Sequence, residues 1–173
     1  MSDAVAENVT HSPAPADIAR DLEGLIVDGV LASDQRLTER EVTERYHCNY
    51  STAREVLHFL EWFGVVRLSS RRGARVVGTT EFQPDQVMAV WFRLYSLMLD
   101  EIRRRHGDIP IYGAAQPEPH RMFARFAAVK ARLEMLGKIS GNRRLSELLS
   151  LAAIQIAIVA PGRFGQIESS LTA

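Results

Sequence analysis

The sequence predicts a mainly α protein in which an N-terminal winged helix-turn-helix, three helices plus a β-hairpin wing, is followed by an all-α helical bundle domain. Three observations lead there. Two short stretches with helix-start signatures stand a tight turn apart between Thr38 and Gly64. Two β-prone runs joined by a basic, glycine-containing loop follow at once, and beyond Pro84 apolar residues recur at helical spacing.

Residues 1–14 are small, polar and proline-containing, a composition that cannot bury enough apolar surface to offset its ordering entropy, so a disordered tail is expected. From Pro15 the pattern changes. Ile18, Leu22, Leu25 and Ile26 fall at helical spacing with Asp17, Asp21 and Glu23 in the early turns, which places helix one over about Pro15 to Val30 and a turn over Ala32 to Gln35. Thr38-Glu39-Arg40-Glu41 has the S/T-x-x-E form of a capping box and starts helix two, with Val42 and Tyr46 one turn apart. His47-Cys48-Asn49 then breaks the pattern. Asn49 is a natural N-cap for helix three, whose apolar stripe is Ala53, Val56, Leu57 and Leu60 and which ends near Gly64.

The wing is read in Val65 to Leu68 and Ala74 to Val77, joined by Ser69-Ser70-Arg71-Arg72-Gly73, where Gly73 supplies the freedom a hairpin loop needs. The winged unit thus spans 15–78, a linker 79–83, and a helical domain 84–173. In that domain three helices are expected: about Pro84 to His106, Pro119 to Lys138 and Asn142 to Ala160. The Gly- and Pro-rich 107–120 between the first two reads as a long loop.

The chain of 173 residues carries no net charge, so charge placement has to point to a partner instead. Residues 1–80 hold nine Arg and no Lys against twelve acids, yet between Val65 and Gly78 stand four Arg and no acid. A single cysteine, Cys48, excludes an internal disulfide and the usual cysteine zinc sites. The N-terminus has neither a positive start nor an apolar run, and the longest apolar stretch, Leu148 to Ala160, falls short of the roughly 20 residues of a span, so a cytoplasmic chain with no membrane partner is expected.

In such a fold the first turns of helix three enter the major groove while arginines, hydroxyls and amides hold phosphates. Asn49, Tyr50, Ser51, Thr52 and Arg54 supply hydrogen-bonding groups there, with Arg54 off the apolar stripe and able to face guanine; Arg40 can reach a phosphate or a base, and Arg71, Arg72 and Gly73 form the wing tip. No nucleophile elbow, phosphate loop or acid/base constellation argues for an enzyme.

The stretch Arg36-Leu37-Thr38-Glu39-Arg40-Glu41, then Arg54-Glu55-Val56-Leu57, Leu60-Glu61, Gly64-Val65-Val66 and Arg72-Gly73, resembles the GntR family of bacterial transcription regulators over about residues 16–78. Tyr50 stands where that family commonly has an arginine at the DNA surface. Ile139-Ser140-Gly141-Asn142-Arg143-Arg144-Leu145 resembles a recurring turn of the FadR-like subgroup with an FCD C-terminal domain, whose helical bundle binds a small carboxylate, often through a metal held by one Asp and three His. Here Val129 and Leu133 fall where the first Asp and His belong, and no His follows His120, so the domain reads as shortened and degenerate, with no metal and no cofactor. The resemblance implies a sequence-specific DNA-binding transcription regulator acting as a homodimer on a palindromic operator in double-stranded DNA, with small-molecule sensing as a further role. The alternative is a degenerate or truncated regulator that serves as a protein-interaction module without reading DNA.

Overall fold

The computed structural model describes residues 13–69, 73–80, 82–107 and 121–172. The expected tail up to residue 12, wing-tip Arg71 and Arg72, and the loop stretch 108–120 with His120 lie outside the described residues.

Three helices and a small sheet build the N-terminal part: α1 (Pro15–Val27), β1 (Arg36–Leu37), α2 (Glu39–Tyr46), α3 (Tyr50–Trp62), β2 (Val66–Ser69) and β3 (Gly73–Val76). Helix α1 stops three residues earlier than expected. Gly29 N–H donates to Ile26 O and Val30 N–H to Leu25 O, a closure that consumes the last carbonyls and turns the chain away. The sheet has three strands in the order β1-β3-β2, all antiparallel, with Arg36 opposite Arg75, Leu37 opposite Ala74, and Arg67 opposite Arg75. Strand β1 is an addition to the hairpin read from the sequence: its two residues show no alternation, and only pairing with β3 makes them a strand.

Helices α1 and α3 pack through Ile18, Leu22 and Ile26 against Ala53, Val56, Leu57 and Leu60, all buried. Helix α2 is tied to α1 by the Tyr46 hydroxyl, which donates to Asp21 Oδ2 at 2.5 Å.

The C-terminal part holds α4 (Pro84–His106), α5 (Met122–Ser140), α6 (Arg143–Val159), a 3-10 turn over Pro161–Arg163 and α7 (Phe164–Thr172). The expectation of three helices is corrected here by α7, which buries Phe164, Ile167 and Leu171 on one face and adds an Arg125–Glu168 ion pair to α5. Helix α6 is buried on most sides and lies between α4 and α5. Trp91 and Tyr95 of α4 stack with ring centroids 5.0 Å apart inside this group. Among the described residues no helix is long and apolar enough to cross a membrane.

The two parts touch. The Phe123 N–H donates to Asp28 Oδ1 at 2.9 Å, Leu151 of α6 lies against Gly64, and Ser33 Oγ reaches Ile158 O at 3.5 Å. Glu23 of α1, only 6% exposed, faces this junction near Lys130 of α5.

Candidate nucleic-acid interface

Two caps place the helices that form the site. The Thr38 hydroxyl accepts from Glu41 N–H at 3.2 Å, and Glu41 Oε2 accepts from Thr38 N–H at 2.6 Å, so the expected capping box is present. Asn49 Oδ1 accepts from Thr52 N–H at 2.8 Å and starts α3. Between them His47 closes α2 with φ of 51°, a left-handed conformation that an L side chain adopts at a cost.

Because Thr38 caps α2, Glu39 is its first residue, and there it meets α3. Arg54 Nε lies 3.0 Å from Glu39 Oε1 and Arg54 Nη2 lies 3.4 Å from Oε2. Arg40 sits on the exposed side of α2 with its Nε 2.7 Å from Glu44 Oε1; hydrogen bonding and charge from Glu44, and then the nearby Tyr50 phenol, raise the guanidinium's pKa. Glu39 does the same for Arg54. Both arginines keep their charge at any working pH.

Helices α2 and α3 and the sheet enclose an open groove of about 620 Å³. Arg36, Arg40, Arg54 and His58 line it with Thr38, Glu39, Ser69 and Gly73. Gly73 lets the wing come this close: a Cβ there would stand 2.6 Å from Leu37 O and 3.1 Å from Thr38 Cα. Its importance in the structure is thus the approach of β3 to the β1–α2 junction.

Of the residues read from the sequence, Arg40, Arg54 and Gly73 share the groove. Asn49, Tyr50 and Ser51 are exposed at the start of α3, and Thr52 is half-buried there with its amide held by the cap. Tyr50 is 59% exposed, a large side chain facing solvent where the first turn begins. Arg36 and Glu39 were not read from the sequence as site residues, and His58, which lies partly off the apolar stripe of α3, was read as a domain or dimer contact and lines the groove instead. Arg36 carries a signal, since it is exposed next to buried Leu37; Glu39 carries none, because its partner is fifteen residues away and meets it only in the folded chain.

Elsewhere, no group of three or more His, Cys, Asp or Glu among the described residues is placed to hold a metal ion. His106 Nε2 lies 3.0 Å from Ile139 O, and Val129 and Leu133 are buried apolar residues of α5.

Residues 15–76 match the family model of bacterial regulatory proteins, gntR family. No curated protein matches the chain. Among solved structures, a protein described as a transcriptional regulator GntR from Rhodococcus sp. RHA1 is similar at 16% identity and a TM-score of 0.46, over 91% of this chain and 70% of that one. E. coli McbR/YncC is similar at 16% identity and a TM-score of 0.41, with the same two coverages, 91% and 70%. A GntR family member from Pseudomonas syringae pv. tomato str. DC3000 is 22% identical with a TM-score of 0.33, over 92% of this chain and 64% of that one.

Proposed function

Residues 15–76 form a winged-helix domain of the gntR type, and from that premise we propose that the chain is a sequence-specific transcription regulator of the cytoplasm that reads double-stranded DNA as a homodimer on a palindromic operator. The observation that supports this reading most is the groove at the start of α3, where Arg36, Arg40, Arg54 and His58 converge. A side-on ion pair with Glu39 leaves the Nη1–Nη2 edge of Arg54 open, and that edge has the bidentate geometry that fits guanine O6 and N7. Arg40, the hydroxyl of Ser51 and the wing tip Arg71-Arg72-Gly73 serve the flanking phosphates.

The part from residue 84 onward is read as a FadR-like domain that pairs two copies and senses a small carboxylate. The α5–α6 turn supports the likeness: α5 ends at Gly141, and Asn142 Oδ1 caps α6 by accepting from Leu145 N–H at 3.1 Å. A second reading, a protein-interaction module without DNA recognition, draws on exposed Tyr50 in place of the family's arginine and on Trp62, 79% exposed at the far end of α3.

Sedimentation of the full chain with duplexes carrying inverted half-sites separates the two readings. A regulator of this type binds as two chains per duplex and prefers half-sites roughly 34 to 36 Å apart, one helical turn. One chain per duplex regardless of half-site spacing overturns the dimer reading, and no sequence-dependent complex at low salt favours the interaction module.

A further inference from the structure

Three helix ends meet at the pole of the C-terminal part that lies away from the N-terminal part. Arg105, in the last turn of α4, rests against the α5–α6 turn: a Cβ on Gly141 would stand 2.6 Å from its Nη1. Next to it, His106 Nε2 lies 3.0 Å from Ile139 O. Helices α4 and α5 therefore end together, and α6 starts from the same place. The other end of α6 is the one near the N-terminal part, where Ile158 O accepts from Ser33 Oγ. At about 1.5 Å per residue, Arg143 stands about 22 Å further out along the helix.

The pole is cationic. The last turn of α4 is Arg103-Arg104-Arg105-His106, that of α5 holds Lys138, and α6 opens on Arg143-Arg144. Cations in the last turns of α4 and α5 suit the negative ends of those helices. The same argument predicts acids at the start of α6, and its first turn has none. Arg143 and Arg144 stand there against the helix dipole, two residues beyond the glycine that Arg105 covers. Their side chains are 91% and 78% exposed, and they share the single carboxylate of Glu147 at 3.2 and 3.0 Å. Arg105 and Lys138 are exposed too and have no ion-pair partner among the described residues. Neither dipole nor core accounts for the excess positive charge at the start of α6.

The acids between the arginines narrow the choice of partner. Asp100, Glu101 and Glu147 lie 3.0 to 3.2 Å from their arginines, so a continuous phosphate rod laid across the pole would meet them as well. A flexible peptide places its carboxylates one at a time, and a carboxylate has the two oxygens that match the guanidinium fork. The existing pairs are exposed and one turn apart, hence weak enough to exchange for those of a partner.

We propose that the pole formed by Arg105, Lys138, Arg143 and Arg144 is a docking surface for an acidic segment of another protein. The proposal stands apart from the DNA-reading function: the pole lies away from α3, so a chain with α3 on DNA still presents it.

Fluorescence anisotropy of a labelled oligoglutamate peptide, titrated with the full chain at low salt, is the test. The double variant Arg105→Gln/Arg144→Gln is expected to bind it about tenfold more weakly than the parent, a few-fold for each exposed charge contact. Arg105→Lys/Arg144→Lys keeps both charges without the forks and is expected to fall between the two. Arg40→Gln, in the groove between α2 and α3, is expected to bind like the parent. No binding by the parent, equal binding by the double variant, or as large a loss in Arg40→Gln overturns the docking surface. A loss of affinity for random-sequence duplex as large as that for the peptide makes nucleic acid the partner and overturns it as well.

Discussion

Glu39 grips Arg54 by one edge of its guanidinium, with Nε 3.0 Å and Nη2 3.4 Å from the two carboxylate oxygens. The contact joins the first residue of α2 to the first turns of α3, so the capping box at Thr38 fixes the arginine indirectly. A planar fork held this way presents its other edge in a set orientation. Both side chains are solvent-exposed to a degree that makes the pair a weak contributor to folding. Under the proposed function its effect falls on recognition.

Glu39→Ala therefore frees Arg54 to swing toward phosphates. Binding to unrelated duplex rises, because a neutralising carboxylate has gone, while preference for the base opposite Arg54 falls severalfold. Affinities for matched and single-mismatch duplexes measure both; an unchanged ratio between them contradicts the orienting role.

Tyr50, exposed at the first residue of α3, offers a hydroxyl where the family pattern offers a cation. Tyr50→Arg adds a charge beside the DNA and is expected to steepen the salt dependence of binding by about one phosphate contact. Titration at two salt concentrations reads this directly, and an equal slope in both proteins places residue 50 away from the backbone.

His47 ends α2 with a φ of 51°. His47→Gly relieves a left-handed side-chain residue and is expected to stabilise the chain by about 1 kcal/mol, or about 2 to 4 °C in melting temperature for a chain of this size. A fall in melting temperature contradicts the strain.

Glu23 is buried between α1 and α5, and burial raises its carboxyl pKa above the ordinary 4.5 although Lys130 and Arg20 pull it down. A raised folded pKa means that the folded state holds the proton more tightly than the unfolded one. The stability this proton confers is present below about 4.5 and is lost as pH rises through the folded value. Glu23→Gln should consequently stabilise the chain more at pH 7 than at pH 4, as urea unfolding at both pH values will show; a gain that is larger at pH 4 contradicts the burial cost.

The elements read correctly from the sequence are those whose signals are local. The Thr38–Glu41 box, the Asn49 cap and the Ala53, Val56, Leu57, Leu60 stripe each lie within one or two turns of chain, and the structure places α2 and α3 accordingly. Strand β1 escaped because two residues have no period of their own. Helix α7 was legible, since Phe164, Ile167 and Leu171 keep helical spacing, but nine residues at the end of a chain give the pattern little length. The exposure of Arg54 was readable from its place off the stripe, whereas its contact with Glu39 was not, and neither was the alignment of Arg36, Arg75 and Arg67, which exists only once three strands are in register.

Selection of bound duplexes from a random pool, run in parallel on the parent and on Arg54→Ala at one salt concentration, tests the recognition role of α3 most directly. The parent is expected to enrich an inverted repeat with a guanine in each half-site. Arg54→Ala, with its fold intact, is expected to lose that guanine and to bind the parent's site roughly tenfold or more weakly, the range for one bidentate base contact. The same motif enriched to the same degree by both proteins, or no motif enriched by the parent, would contradict the assignment.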